Sequence, residues 1–365
     1  MLGMFKAASP SSLRFHVLFA VILLATVSST QAGETASTPT HRDPWLWPFA
    51  QDSIWNMPIG SGAQYEPANL GAAKHVGVDI EYHVKTTQND PTVPIYSPSG
   101  WQTRWPGKRV IGQCVIPSDL VIEDARKHHT PNAVTVILQP DGRTIVQLEP
   151  ACRPDPTAQR IVGYRSSPNL DLYGKGIGGS HFGSGLSGIG GSIRKGELTS
   201  EAPIRHALKI NLWAKRYLYY GADRKGFRWP ADRADSYAAK QYGGKNPQLV
   251  MGSLLAIKPD VTYEQLNIQT NVGKKLFNAL QHYGAYVSDD TAWDAYDLCL
   301  EVGVIKEVKQ ATGLNMASSS GQLFDEINQL ISVLCIIDNN TPQSIGGGGE
   351  PCMPLAPKLI DPAAK

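Results

Sequence analysis

Past residue 32 the chain has no apolar run long enough to cross a membrane, a span that takes about 20 residues. It also has no surplus of either charge: setting aside Lys6 and Arg14 leaves 32 basic and 32 acidic residues. That balance argues against a nucleic-acid partner, which calls for a basic excess or a basic face. Cysteine is scarce, with five residues and no CxxC pair, so neither a cysteine zinc cage nor a thioredoxin-type motif is expected. No internal repeat shows, and GxSxG is missing, which leaves a serine nucleophile elbow without support.

The apolar run that is present lies at residues 15–27, behind Lys6 and Arg14 and ahead of Thr30-Gln31-Ala32. This is the pattern of a secretory signal, so residues 1–32 are expected to be cleaved. The mature protein is then expected to be secreted or periplasmic, with no membrane contact. Residues 33–42 are polar and expected to be flexible. Residues 43–340 should form a single β-rich domain, and 341–365 a loose tail. Export makes disulfides possible; Cys114 with Cys152, then Cys335 with Cys352, are the expected pairs, leaving Cys299 as a buried thiol.

Glycine is abundant in one place. Ten of the 23 residues from 174 to 196 are glycine, interleaved with Phe182, Leu186, Ile189 and Ile193. Dense glycine is costly in backbone entropy unless the chain needs positive φ or close approach. The recurring apolar residues favour a shaped, surface-lining loop over a linker. Two GxGxxG matches fall inside it, but more glycines and then a strand follow, where a dinucleotide site needs a helix. The loop carries His181, Arg194 and Glu197.

Around it the pattern is mostly strands. Residues 76–85 alternate, with Val78, Ile80, Tyr82 and Val84 on one face and Asp79, Glu81 and His83 on the other. Residues 132–149 read as a hairpin turned by Pro140-Asp141-Gly142, which puts Gln147 and Glu149 on one face. In 204–212, Arg205, Lys209 and Asn211 share a face opposite His206. Residues 213–220 read as extended, 252–257 and 285–288 as short strands, and 271–283, 293–300 and 322–333 as helices. Strands first and helices later give a β-rich α+β class, with a sandwich or jelly-roll core and peripheral helices in the C-terminal third. Trp45, Trp47 and Trp55 lie within eleven residues, as a segment pinned on the core or as a sugar-stacking platform.

The segments SIWNMPIGSGAQY, HFGSGLSGIGGSIRKGEL, IRHALKINL and ALQHYGAYVSDDTAWDAYDL resemble a family of exported bacterial proteins, most of them without an assigned activity. The resemblance implies export and a single fold, and carries no residue roles. Val-Asp-Ile-Glu-Tyr (78–82) is similar to the latter part of the ExDxE strand of laminarinase-type sandwich hydrolases. Gly77 stands where that pattern has its nucleophilic glutamate.

Carboxylates at i and i+2 on a strand lie about 6.5–7 Å apart, within the spacing that glycoside hydrolysis uses. With export and aromatic richness, this points to an enzyme that cleaves a polysaccharide, with no cofactor or metal. A hydrolase would draw two carboxylates from Asp79, Glu81, Glu149, Glu197, Asp289 and Asp290. A lyase would use His181 or a tyrosine as base and Arg194, Arg205 or Lys209 as neutraliser. His206, Arg205, Lys209, Gln147, Glu149, Trp229 and Tyr219 are the expected substrate contacts. A non-catalytic glycan-binding or envelope protein would use the same aromatics. Asp290 has a second reading as a helix cap for the segment at 293.

Overall fold

The structure, a computed structural model, describes residues 41–125 and 132–361. The expected signal at 1–32 lies outside the described residues. The strands are β1 (Tyr65–Pro67), β2 (His75–Lys85), β3 (Thr92–Tyr96), β4 (Val110–Val115), β5 (Thr135–Leu138), β6 (Thr144–Leu148), β7 (Ile161–Val162) and β8 (Leu170–Asp171). They continue as β9 (Leu208–Leu212), β10 (Leu254–Ala256), β11 (Ala285–Asp290), β12 (Ala295–Glu301) and β13 (Cys335–Ile337). The helices are α1 (Ala214–Tyr217), α2 (Ala238–Gln241), α3 (Asn271–His282), α4 (Val304–Thr312) and α5 (Gln322–Ser332).

Ten strands form one sheet in the order β1-β13-β10-β11-β9-β12-β2-β5-β6-β8, and β4-β3-β7 form a second. The β-rich α+β class therefore holds. The ladders differ from the antiparallel ones of a jelly roll: β9 with β11, β12 with β2, and β2 with β5 all pair parallel. Parallel neighbours need long crossovers: α1, α2 and α3 lie between β9 and β11, and the glycine loop lies between β2 and β12.

One face of the large sheet is apolar. Val76, Ile210, Val287, Leu298 and Leu300 share a core with Leu276 of α3, Val308 of α4 and Ile327 of α5. On the same face of β5 and β6, Ile137, Val146 and Leu148 pack with Val93 and Ile95 of the small sheet. Helix α3 starts where Thr270 accepts from Gly273 N at 2.9 Å and stops before Gly284 at φ 77°. The opposite face is covered by the N-terminal segment and the glycine loop. Trp55 is buried there, its Nε1 donating to the Gly176 carbonyl at 2.8 Å, with Phe49, Leu186 and Ile189 beside it. The tryptophan cluster is thus pinned on the core at Trp45 and Trp55.

Three expectations are corrected. Residues 293–300 do not form a helix: 295–301 is strand β12, seven residues in register with β2. Its sequence AYDLCLE alternates, and both faces have partners waiting. Residues 213–220, read as extended, contain the helical turn α1, whose first amide (Ala214 N) is taken by Asp290 Oδ1 at 2.8 Å. The disulfides are absent: all five cysteines are free thiols. Cys114 sits opposite Val93 and Cys152 opposite Val162, while Cys352 Sγ turns to the His282 carbonyl at 3.4 Å. Five thiols should accordingly titrate in denaturant without reductant, and a reductant should leave Tm unmoved.

From 341 to 361 the chain is tied down. Cys352 N donates to the Ile59 carbonyl at 2.9 Å, and Arg143 pairs with Asp361 at 2.8 Å. Among the described residues no helix is long and apolar enough to cross a membrane.

Candidate active site

The polar face of the alternating strand β2 is buried, as Val76 and Val84 are on its apolar face. Asp79, Glu81 and His83 point under the glycine loop and are joined there by register neighbours. Cys299 lies beside Asp79, and Asp297 lies between Gly77 and Asn211. Lys209 enters from β9 and Asp289 from β11, opposite Asn211. Gln147 comes from β6, with Glu149 just beyond it. Five strands, β11, β9, β12, β2 and β6, and the residues at their ends thus contribute to one polar layer in an otherwise apolar sheet.

The loop is fastened to this layer by its own amides and carbonyls. Gly188 N donates to Gln147 Oε1 at 2.8 Å, and Phe182 N donates to Glu149 Oε2 at 2.6 Å. Lys209 Nζ donates to the Ser187 carbonyl at 2.8 Å, and Ile193 N to the Cys299 carbonyl at 3.0 Å. Gly183 explains part of the glycine content: a Cβ there would overlap the Asp289 carboxylate.

At the centre Glu81 Oε1 meets His181 Nε2 at 2.7 Å and Lys209 Nζ at 2.6 Å, with all three side chains fully buried. Burial works against the Glu81 carboxylate, but the Lys209 ammonium and both histidines hold it well below the usual range. Burial and Lys209 also oppose charge on His181, yet the acids Asp289 and Glu81 hold it well above the usual range. Its Nδ1 is 3.8 Å from Asp289 Oδ2, too far for a hydrogen bond, and is unpartnered among the described residues.

Carboxylates crowd the outer side. Burial pushes Asp79 up to about 6, eased by His181 and reinforced by Asp289 and Glu81. Burial likewise lifts Asp297 to about 7, with Asp79 and Asp289 adding to it. Asp235 reaches about 7 through burial and Asp289, and Glu149 is lifted well above the usual range by burial first and Asp289 next. On the sheet Asp79 and Asp289 are buried with 7% and 8% exposure, and Asp297 is half-buried. Asp235 reaches the same place from the segment after the Arg228-Trp229-Pro230 run, its Oδ1 lying across Gly183 from Asp289. Phe182, next to His181, packs on the exposed Tyr164 at 5.8 Å with Arg233 over its ring.

Gly77 marks the departure from the ExDxE pattern, and the structure gives the physical reason. The Asp297 carboxylate fills the space a side chain at 77 would need. A carboxylate stands there after all, supplied by the neighbouring strand.

The other expected residues are distributed as follows. Arg194 and Glu197 form a second set at the far end of the loop: Arg194 Nε donates to Glu301 at 3.0 Å and Nη1 to the Trp45 carbonyl at 2.6 Å. Glu197 accepts from Arg194 N at 2.6 Å and lies 3.0 Å from His206 Nε2. Arg205 precedes β9 and lies near Tyr283 rather than the cluster. Trp229 is half-buried against the core, Tyr219 donates to Asp223 at 2.6 Å, and Asp290 is spent on the amides of Ala214 and Ala292. His181, Asp79, Glu81, Lys209, Gln147 and Glu149 are brought together.

His206 makes a pH prediction. Burial opposes its charge, but Glu197 beside it raises its affinity for a proton. A raised folded value means that the pair's contribution is fully present below pH 6.5 and is lost as pH rises through the folded value. Urea midpoints measured across that window should fall with rising pH in the wild type. His206→Gln should remove that slope, at a cost of about 1.5–3 kcal/mol at the acid end.

Sequence reading missed Asp297 and Ser288, while Asn211 falls on the Lys209 face that alternation gives. Ser288 Oγ donates to Asn211 Oδ1 at 2.7 Å, and Asn211 Nδ2 donates to Asp79 Oδ2 at 3.2 Å. The alternation of Asp297, Cys299 and Glu301 was the available signal for Asp297.

Fold and site together define a β-rich α+β protein with an acid-lined, histidine-centred cluster beneath a glycine loop. Compared with known protein families, curated proteins and solved structures, the chain gives no match in any of the three.

Proposed function

We propose that the protein is an exported enzyme that hydrolyses glycosidic bonds of a polysaccharide at this cluster. The observation that carries the reading is the grouping of Asp79 with Asp289, and of Asp289 with Asp235, beside the buried Glu81–His181–Lys209 set and the Phe182–Tyr164 aromatic pair. Hydrolysis needs one carboxyl that gives a proton and another that prepares water. Asp235, kept protonated near neutrality, gives its proton to the leaving oxygen as the C–O bond breaks. Asp79 and Asp289 orient the attacking water, whose oxygen joins the anomeric carbon and whose proton leaves through them. Glu81 and Lys209 are positioning residues, since neither is accessible. Aromatic faces suit the apolar faces of sugar rings.

What supports hydrolysis over elimination is the use made of the cations. Lys209 is paired with Glu81 and Arg194 with Glu301, both buried, so neither is placed to neutralise a uronate. The acid rim also disfavours a polyanionic substrate. Incubation with neutral and uronic-acid polysaccharides tests the reading: new reducing ends on a neutral polymer are expected. An unsaturated uronide product, seen by its ultraviolet absorbance, would overturn it in favour of elimination.

A further inference from the structure

We propose that Asp79, His181 and Asp289 bind one divalent cation of the zinc or manganese class. The inference rests on the hydrolytic reading only for what the cation does, which is to polarise the attacking water so that its proton leaves to solvent rather than onto Asp79 or Asp289; the site itself rests on geometry.

One ligand atom from each of the three residues lies within 4.8 Å of the others. Two ligand atoms each about 2.0–2.2 Å from one ion stand roughly 3–4 Å apart, and His181 Nδ1 is 3.8 Å from Asp289 Oδ2. The independent sign of a missing partner is Nδ1 itself, which is fully buried, unpartnered among the described residues and turned toward Asp289. The ring cannot rotate away, because Nε2 is held by Glu81 Oε1 at 2.7 Å, and Glu81 is held by Lys209. A histidine whose remote nitrogen is fixed by a carboxylate while the near one faces other donors is the usual arrangement of a metal-ligating imidazole.

The carboxylates are prepared in the same way. Asp79 Oδ2 accepts from Asn132 and Asn211, each at 3.2 Å, and Asp289 Oδ1 accepts from Asp290 N at 2.8 Å. Each acid therefore has one oxygen tied off and one to offer. Glu149 Oε1, also buried and unpartnered among the described residues, belongs to the same acid cluster. A divalent cation would compensate this crowd of acids, taking the place of the Nδ1 proton.

Two oxygens and one imidazole suit a borderline to hard divalent ion. Three protein ligands leave a fourth position for water, and Asp79 and Asp289, though buried, keep 7% and 8% exposure. Glu81, His181 and Cys299 also lie within one ion's reach of one another. That alternative is disfavoured because Glu81 Oε1 is already shared by Lys209 and His181, and all three residues are sealed from solvent.

The test uses the full mature protein, stripped with chelator, then titrated with Zn²⁺ and separately with Mn²⁺ by calorimetry. Thermal stability and X-ray absorption are read on the loaded sample. One ion per chain, a raised Tm and a coordination shell of nitrogen and oxygen without sulfur are expected. Asp289→Asn and Asp79→Asn should each weaken binding at least about tenfold, and Cys299→Ser should leave it unchanged. Absent stoichiometric binding in the wild type, or binding indifferent to both aspartate variants, overturns the site; sulfur in the shell or loss in Cys299→Ser moves it to the other triad and overturns it equally. Ion binding without glycan cleavage would leave the site standing and remove the hydrolytic reading. Cleavage that persists in stripped protein showing no binding would do the reverse.

Discussion

Lys209→Met is expected to lower folding stability by about 3–5 kcal/mol, the usual consequence of leaving a buried charge without its partner. Methionine keeps most of the length of lysine and removes the ammonium, so the loss is electrostatic rather than a packing defect. Glu81 is fully buried, its Oε1 shared by Lys209 and His181, and its Oε2 already lacks a hydrogen-bond partner among the described residues. Without Lys209 the carboxylate has only His181 and His83 to rely on. The double variant Lys209→Met with Glu81→Gln should recover most of the loss, because the orphaned charge goes with it. Urea unfolding of the two single variants and the double variant closes the cycle. A single-variant cost below about 1 kcal/mol, the range of exposed pairs, would mean that the set is not the sealed centre described above.

Asp235→Asn should leave stability nearly unchanged and act far more strongly on turnover. Asp235 stands in an acid cluster where burial first and Asp289 next raise its proton affinity. Asparagine replaces a group read as protonated with a neutral isostere, so stability should stay within about 1 kcal/mol. Glycan cleavage should fall by about 10²- to 10⁴-fold, the usual contribution of a positioned acid or base. A structural pair loses stability when cut, whereas a catalytic acid held among like charges does not. Parallel Tm and initial-rate measurements separate the two.

Much of this site could be read from local pattern. Alternation in 76–85 put Asp79, Glu81 and His83 on one face, and alternation in 204–212 put Lys209 with Asn211. The hairpin gave Gln147 and Glu149, and the dense glycine with its apolar anchors gave a loop that carries His181 against strands. Alternation says which residues share a face, but not which face is covered. The polar side of β2 is such a case: only the long-range docking of the glycine loop covers it. Asp297 was missed because 293–300 also fits a helical spacing, and only the long-range parallel pairing with β2 decides for strand. The free thiols are of the same kind. Sequence separation suggested pairing, whereas the neighbours of Cys114, Cys152 and Cys352 are fixed by strand register and by the docked C-terminal segment.

The most direct measurement of the central claim is reducing-end release from a panel of neutral polysaccharides, with wild type and Asp289→Asn compared at matched folded fraction. Release by the wild type, with a loss of at least about a hundredfold in the variant, is the predicted result. Equal release by both proteins, or release from no polymer in the panel by the wild type, would contradict it.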